Sequence, residues 1–237
     1  MNLRIAALLM MTGLAGCATP PQPLPVTASG IPEFAIPTLS GRTAVRNFIK
    51  VIETVEPVAE DFCRAERPDL NCDFQIVVDD TPGEGPNAFQ TLDDNGRPVI
   101  AFTIPLIALA RNIDELAFIM AHEAAHHIAG HIPRQRQSAL AGARLLGGIA
   151  AVVSGGREDS IKAGVELGAK IGARTYSKAF ELEADALGTR IAARAGYDPV
   201  RGAAFFLRIP DPGDEFLGSH PANGDRLSTI RAVASQL

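Results

Sequence analysis

Hydrophobic residues recur at three- and four-residue intervals over residues 40–66. Val45, Phe48, Ile49, Ile52, Val55, Val58 and Phe62 fall near one stripe and predict a helix. Beyond it the period shortens. Residues 74–78 (FQIVV), 87–92 and 98–104 (PVIAFTI) read as short strands, and Asp93-Asp94-Asn95-Gly96 supplies the turn between the last two. Asn112-Ile113-Asp114-Glu115 opens a second helix with acidic residues in its first turn, where they suit the helix dipole. Ile113, Leu116, Ala117, Met120, Ala124 and Ile128 mark its buried stripe, and Pro133 is its expected end. Residues 139–153 are rich in Ala, Gly and aliphatics, but the stretch is short and carries Arg144, so it is not read as a spanning helix. Further helices are expected at 160–175, 177–195, 199–208 and 224–235, with Gly196 placed as a C-cap glycine. The pattern predicts an α+β fold, mostly α-helical, with a small, largely antiparallel sheet.

The first 38 residues follow a different logic. Arg4 precedes the short apolar run 5–11 (IAALLMM), and Leu14-Ala15-Gly16-Cys17 follows. This is the layout of a secretory signal, and small residues leading directly into a cysteine resemble a bacterial lipobox. The division implied is a signal peptide at 1–16, a lipidated Cys17 with a Pro-rich tether over 17–38, and one folded domain over 39–237. Two or three acyl chains on Cys17 make a stable membrane anchor. The alternative is a soluble periplasmic protein with a chance cysteine. Ala18, where an aspartate commonly retains lipoproteins at the inner membrane, favours the outer membrane.

Composition narrows the class further. The chain of 237 residues has a net charge of −5 and no basic block, which argues against nucleic acid as a partner. Of its three cysteines, Cys17 is taken by the lipid, leaving Cys63 and Cys72. In an oxidising compartment these are expected to pair and close a small loop, a catalytic thiol being the other reading.

The candidate chemistry lies in His122-Glu123-Ala124-Ala125-His126. Histidines four apart on a helix leave the same face one turn apart, the spacing needed to grip one Zn²⁺. Glu123 lies beside them and can act on bound water as a general base rather than as a ligand. The bland alternative is an amphipathic helix with coincidental histidines. Glu181 in the later segment Phe180-Glu181-Leu182-Glu183-Ala184-Asp185 is the candidate third ligand. Asp185, on the same helical face, would accept from the outer N–H of a ligating histidine. Glu183 is expected to point away into solvent. His127 and His131, far round a continuous helix from His122, are expected to be structural or partly exposed.

HEAAHHIAGH, ELEADALG and SHPANGDR in that order resemble the HtpX-like and CAAX-prenyl-protease-like gluzincins, in particular their soluble periplasmic members. The resemblance covers roughly residues 42–237 and implies a gluzincin-type metallopeptidase domain with one Zn²⁺ per chain. It implies zinc-dependent hydrolysis of internal peptide bonds, with unfolded or misassembled envelope polypeptides as substrates. It also brings in His220, before Pro221, as a fourth zinc ligand at rest or an oxyanion donor, and Arg226 beside the site. Arg226, Tyr176 and Tyr197 are lesser oxyanion candidates. Asp93-Asp94-Asn95-Gly96-Arg97 stands where the family usually has a Pro-Gly-Gly turn, and no tetratricopeptide-like docking module is expected after His220-Pro221. Residues 98–104 are expected to hold extended substrate by strand addition, and residues 139–153 to cover the cleft or form a core helix. Two readings stay open beside the endopeptidase: a zinc-containing binding or chaperone-like lipoprotein with vestigial activity, and a hydrolase of cell-wall peptides.

Overall fold

The structure, a computed structural model, describes residues 39–175, 177–209 and 221–237. Helix α1 (Gly41–Glu66) begins where the Ser40 hydroxyl accepts the Thr43 N–H. Its inner face is Ala44, Phe48, Val51, Val55, Ala59 and Cys63, whereas Val45 and Ile49 of the expected stripe are about half exposed.

Strands β1 (Gln75–Asp79), β2 (Ala88–Leu92) and β3 (Pro98–Thr103) form one sheet in the order β1-β3-β2. β2 and β3 are antiparallel across the expected turn, in which the Asp93 carboxylate accepts the N–H groups of Asn95 and Arg97. β1 and β3 run parallel, with Gln75 opposite Val99, so the small sheet is mixed. β3 is therefore the central strand with both edges occupied, and it cannot take a peptide by strand addition. Among the described residues the outer edge of β2 pairs with no other strand. A short helix α2 (Ile104–Leu109), absent from the sequence reading, follows at once: the Thr103 hydroxyl accepts the Leu106 N–H and Pro105 sits in the first turn.

Helix α3 (Ile113–Ile128) is the centre of the fold. The Asn112 side-chain oxygen Oδ1 accepts the Glu115 N–H at its start, and residues on all sides of it are buried against α1, α6 and the short α7. It stops earlier than expected. Gly130 has φ +67°, a left-handed value that costs glycine little, and α4 (His131–Ser154) restarts beyond it. Pro133, read from sequence as a terminator, lies in the first turn of α4, where a proline costs no hydrogen bond.

α4 packs along α5 (Glu158–Thr175) so closely that a Cβ on Gly168 would strike the Gly142 carbonyl. The other faces of α4 are exposed, with Val152 84% and Val153 82% accessible. Residues 139–153 therefore neither cover the cleft nor join the core. Because α4 begins at His131, it is 24 residues long, enough by length and composition to cross a membrane. α6 (Ser177–Arg194) lies across α3 and ends at Gly196, φ +87°. α7 (Pro199–Ala203), a 3₁₀ turn (Ala204–Arg208) and α8 (Asn223–Ala234) complete the far side. Phe74, Ile100, Phe102, Leu116, Phe118, Met120, Ile191 and Ile230 are the large side chains of the interior.

Candidate metal centre

α3 carries His122 and His126 on the face it turns towards α6, with Glu123 beside them towards Gln90 of β2, and α6 answers with Glu181 and Asp185. The approach depends on Gly188, where a Cβ would stand 3.0 Å from the backbone N and Cα of His122. The ring nitrogens Nε2 of His122 and His126 are 3.0 Å apart. Glu181 presents Oε2 at 3.4 Å from His122 Nε2 and Oε1 at 3.5 Å from His126 Nε2. One ligand atom from each of the three residues lies within 4.8 Å of the other two, so the set can hold a single metal ion. Two imidazoles and one carboxylate facing an open cleft make the donor set of a site that keeps a position for water or substrate.

The outer nitrogens are also partnered. His122 Nδ1 is 3.0 Å from Asp185 Oδ1. Asp185 is fully buried and takes two bonds from Arg226, Nε to Oδ2 at 2.7 Å and Nη2 to Oδ1 at 2.6 Å. Arg226 is itself buried, lies over the Phe206 ring at 3.7 Å, and reaches to 3.7 Å from Glu181. His126 Nδ1 meets His131 Nδ1 at 2.8 Å, and His131 Nε2 stands 3.2 Å from Glu183 Oε2.

Burial opposes a charged His122 ring, but the hydrogen bonds of Asp185 and Glu181 prevail and push its pKa up to about 10. His126 moves the opposite way, to about 3, through burial and then the charge of His122. Asp185, although buried, is held below the usual carboxylate range by Arg226 and His122. Burial, with help from the neighbouring Glu181 charge, pushes Glu123 up to about 7 against His122, Arg226 and the Gln90 N–H. A carboxylate poised near neutrality can take up a proton and give it back.

Glu123 and the three candidate ligands line a cleft of about 790 Å³ whose wall includes Asn87, Ala88, Phe89 and Gln90 of the β2 segment. The free edge of β2 thus runs beside the site. Phe205, Phe206 and Arg208 line another part of the cleft, with Arg208 held by a bidentate pair to the buried Glu115 at 2.6 and 2.7 Å.

Of the residues singled out from sequence, His122, Glu123, His126, Glu181, Asp185 and Arg226 come together here. Tyr197 does not: its hydroxyl is 2.6 Å from Thr54 Oγ1 and it lines no part of the cleft. His127 sits on the back of α3, donating to the Asn71 carbonyl at 2.8 Å. Cys17, Tyr176 and His220 lie outside the described residues. Cys63 and Cys72 form a disulfide with a Cα–Cα distance of 5.7 Å. The loop it closes grips the end of α3 through Arg67 and Asn71, which bond the Ile128 carbonyl and His127.

Sequence reasoning missed His131 and Glu183. It placed His131 on a continuous α3, pointing away from the ligands, and Glu183 in solvent, to which that side chain is indeed half exposed, without the partners it finds there. The turn at Gly130 carries His131 back beside His126, and Glu183 is bonded by His131 and Arg134. A glycine immediately before His-Ile-Pro was the available signal for a helix restart.

A histidine pair on a buried helix, a glutamate between them and a second glutamate from a later helix define a metallopeptidase domain of the gluzincin type. The chain belongs to peptidase family M48, whose pattern matches residues 46–234. The beta-barrel assembly-enhancing protease of Yersinia pestis is 30% identical over 138 residues, 53% of this chain and 28% of that protein. The protein of that name from Escherichia coli strain K12 is 29% identical over 144 residues, 56% of this chain and 30% of its own. A Vibrio cholerae protein that carries the name provisionally is 29% identical over 212 residues, 80% of this chain and 43% of its own. The chain thus spans less than half the length of these curated relatives.

Proposed function

We propose that this chain is a zinc-dependent endopeptidase of the bacterial envelope that cleaves extended segments of unfolded or misassembled envelope proteins. The convergence of His122, His126 and Glu181 beside Glu123 in one cleft carries the reading. One zinc ion per chain, held by His122, His126 and Glu181, would polarise the scissile carbonyl and acidify a water. Glu123 would act as the general base and then the general acid, accepting a proton on its carboxylate and handing it to the leaving amine, a task suited to a carboxylate pushed up to about 7. Asp185 orients His122, and Arg226 keeps Asp185 ionised and in place.

The substrate class draws on two supports. The relatives are named as beta-barrel assembly-enhancing proteases. The unpaired edge of β2 offers backbone groups to an extended peptide alongside the site, so folded chains are poor substrates. Location follows from the first residues: we assign 1–16 as a signal peptide and Cys17 as the lipidated anchor of an outer-membrane lipoprotein, with 39–237 as the peptidase domain.

The test is degradation of unfolded casein by the wild type and by Glu123→Gln at equal zinc content. Cleavage by the wild type alone supports the assignment. If neither cleaves while each holds one zinc, the site serves binding rather than hydrolysis and the reading fails.

A further inference from the structure

We infer that His131 is a positioning residue for the metal site: it accepts the outer N–H of His126 and passes the anchor on to Glu183 and Arg134. The inference rests on the reading that His126 ligates through Nε2, the nitrogen that faces His122 and Glu181. A neutral imidazole that gives Nε2 to a metal carries its proton on Nδ1, and that N–H needs an acceptor. His131 Nδ1 is 2.8 Å away and is 5 residues on in sequence, across the Gly130 turn.

Acceptance at Nδ1 fixes the rest of the chain of bonds. His131 then carries its own proton on Nε2, which points at Glu183 Oε2, 3.2 Å away. A carboxylate only accepts, so the polarity is consistent at every link. The same Oε2 takes a bond from Arg134 Nη1 at 2.7 Å. Packing holds the relay flat: the Phe180 ring stacks on His131 at 4.5 Å with an interplanar angle of 10°, and the Arg134 guanidinium lies 4.3 Å from the Phe180 centroid. His131 is 5% exposed, and its ring bonds go to His126 and Glu183.

The two histidine ligands are therefore oriented by different devices. His122 leans on the buried anion Asp185. His126 leans on a neutral imidazole whose charged partner, Glu183 of α6, is half exposed. Loss of an outer partner to a metal-ligating histidine typically costs about 10–100-fold in metal affinity.

The experiment measures zinc affinity of the full chain by competition with a chromophoric chelator, with thermal unfolding of the metal-free protein beside it. His131→Ala is expected to weaken zinc binding by about 10–100-fold. His131→Asn, whose side-chain oxygen can accept the same N–H, recovers most of the loss. Glu183→Ala, at a half-exposed position that tolerates truncation, weakens zinc binding less and adds nothing to His131→Ala. Unchanged affinity in His131→Ala overturns the inference, as does His131→Asn binding no better than the alanine variant. If His131→Ala does not fold, Glu183→Ala decides alone, and unchanged affinity there rejects the relay. The control is His126→Ala: if the wild type binds zinc no better than this variant, the ligand assignment has failed, and not the inference about His131.

Discussion

Asp185 shows how much a single buried side chain can decide. Its two oxygens take both bonds of Arg226 and face His122 Nδ1, with none of it exposed to water. Asp185→Asn keeps the shape but removes the charge, leaving the buried Arg226 guanidinium with only the more distant Glu181 carboxylate, 3.7 Å away, to balance it. The expected cost is about 3–5 kcal/mol in stability, with a zinc affinity about 10–100-fold weaker. Denaturant unfolding and chelator competition check the two parts separately. Arg226→Lys is not a neutral exchange either, because an ammonium cannot make the bidentate contact.

At the scale of elements, the site is a contract between α3 and α6. Gly188 sets their separation, since a methyl group there would press on the His122 backbone at 3.0 Å. Gly188→Ala is expected to push α6 outwards, costing about 1–3 kcal/mol by overpacking. Glu181 moves with α6, so the zinc-induced rise in the unfolding temperature should shrink as well. Unfolding curves with and without zinc test this, and an unchanged zinc-induced shift would mean that the helix pair absorbs the methyl elsewhere. The helices and strands themselves were largely legible. Ser40, Asn112 and Gly196 act as the caps their residue types suggest, and the Asp93 turn joins β2 to β3. The breaks were harder to see. A proline inside the first turn of a new helix looks, in sequence, like the end of the old one, and that ambiguity hid both α4's start and His131.

For the whole molecule, proton and metal compete for one buried cluster. In the metal-free chain the His122 ring, pushed up to about 10 by Asp185 and Glu181 against its burial, holds a proton at neutral pH. The sign follows. A raised folded pKa stabilises the metal-free protein below the unfolded value of about 6.5, and that contribution is lost as pH rises through about 10. Zinc must displace the same proton, so its apparent affinity should rise with pH across this window, and loading near pH 8 should release a proton. Calorimetric titration in two buffers of different ionisation enthalpy reads that release directly. Binding without proton uptake by the buffer would show that His122 is already neutral.

Local patterns in the sequence determined the family, the fold class and the zinc-site candidates, because a helix of fixed pitch places His122, Glu123 and His126 on one face wherever it folds. Glu181 and Asp185 were legible for the same reason, as an i, i+4 pair on a second helix. Only the tertiary structure decided how the two faces meet. It set the distance at Gly188, tied Arg226 to Asp185, and left β2 rather than β3 at an edge of the sheet. It also brought His131 behind His126. These outcomes depend on chain reversals and on which strand lies in the middle, and a one-dimensional pattern does not encode contacts that form across a turn.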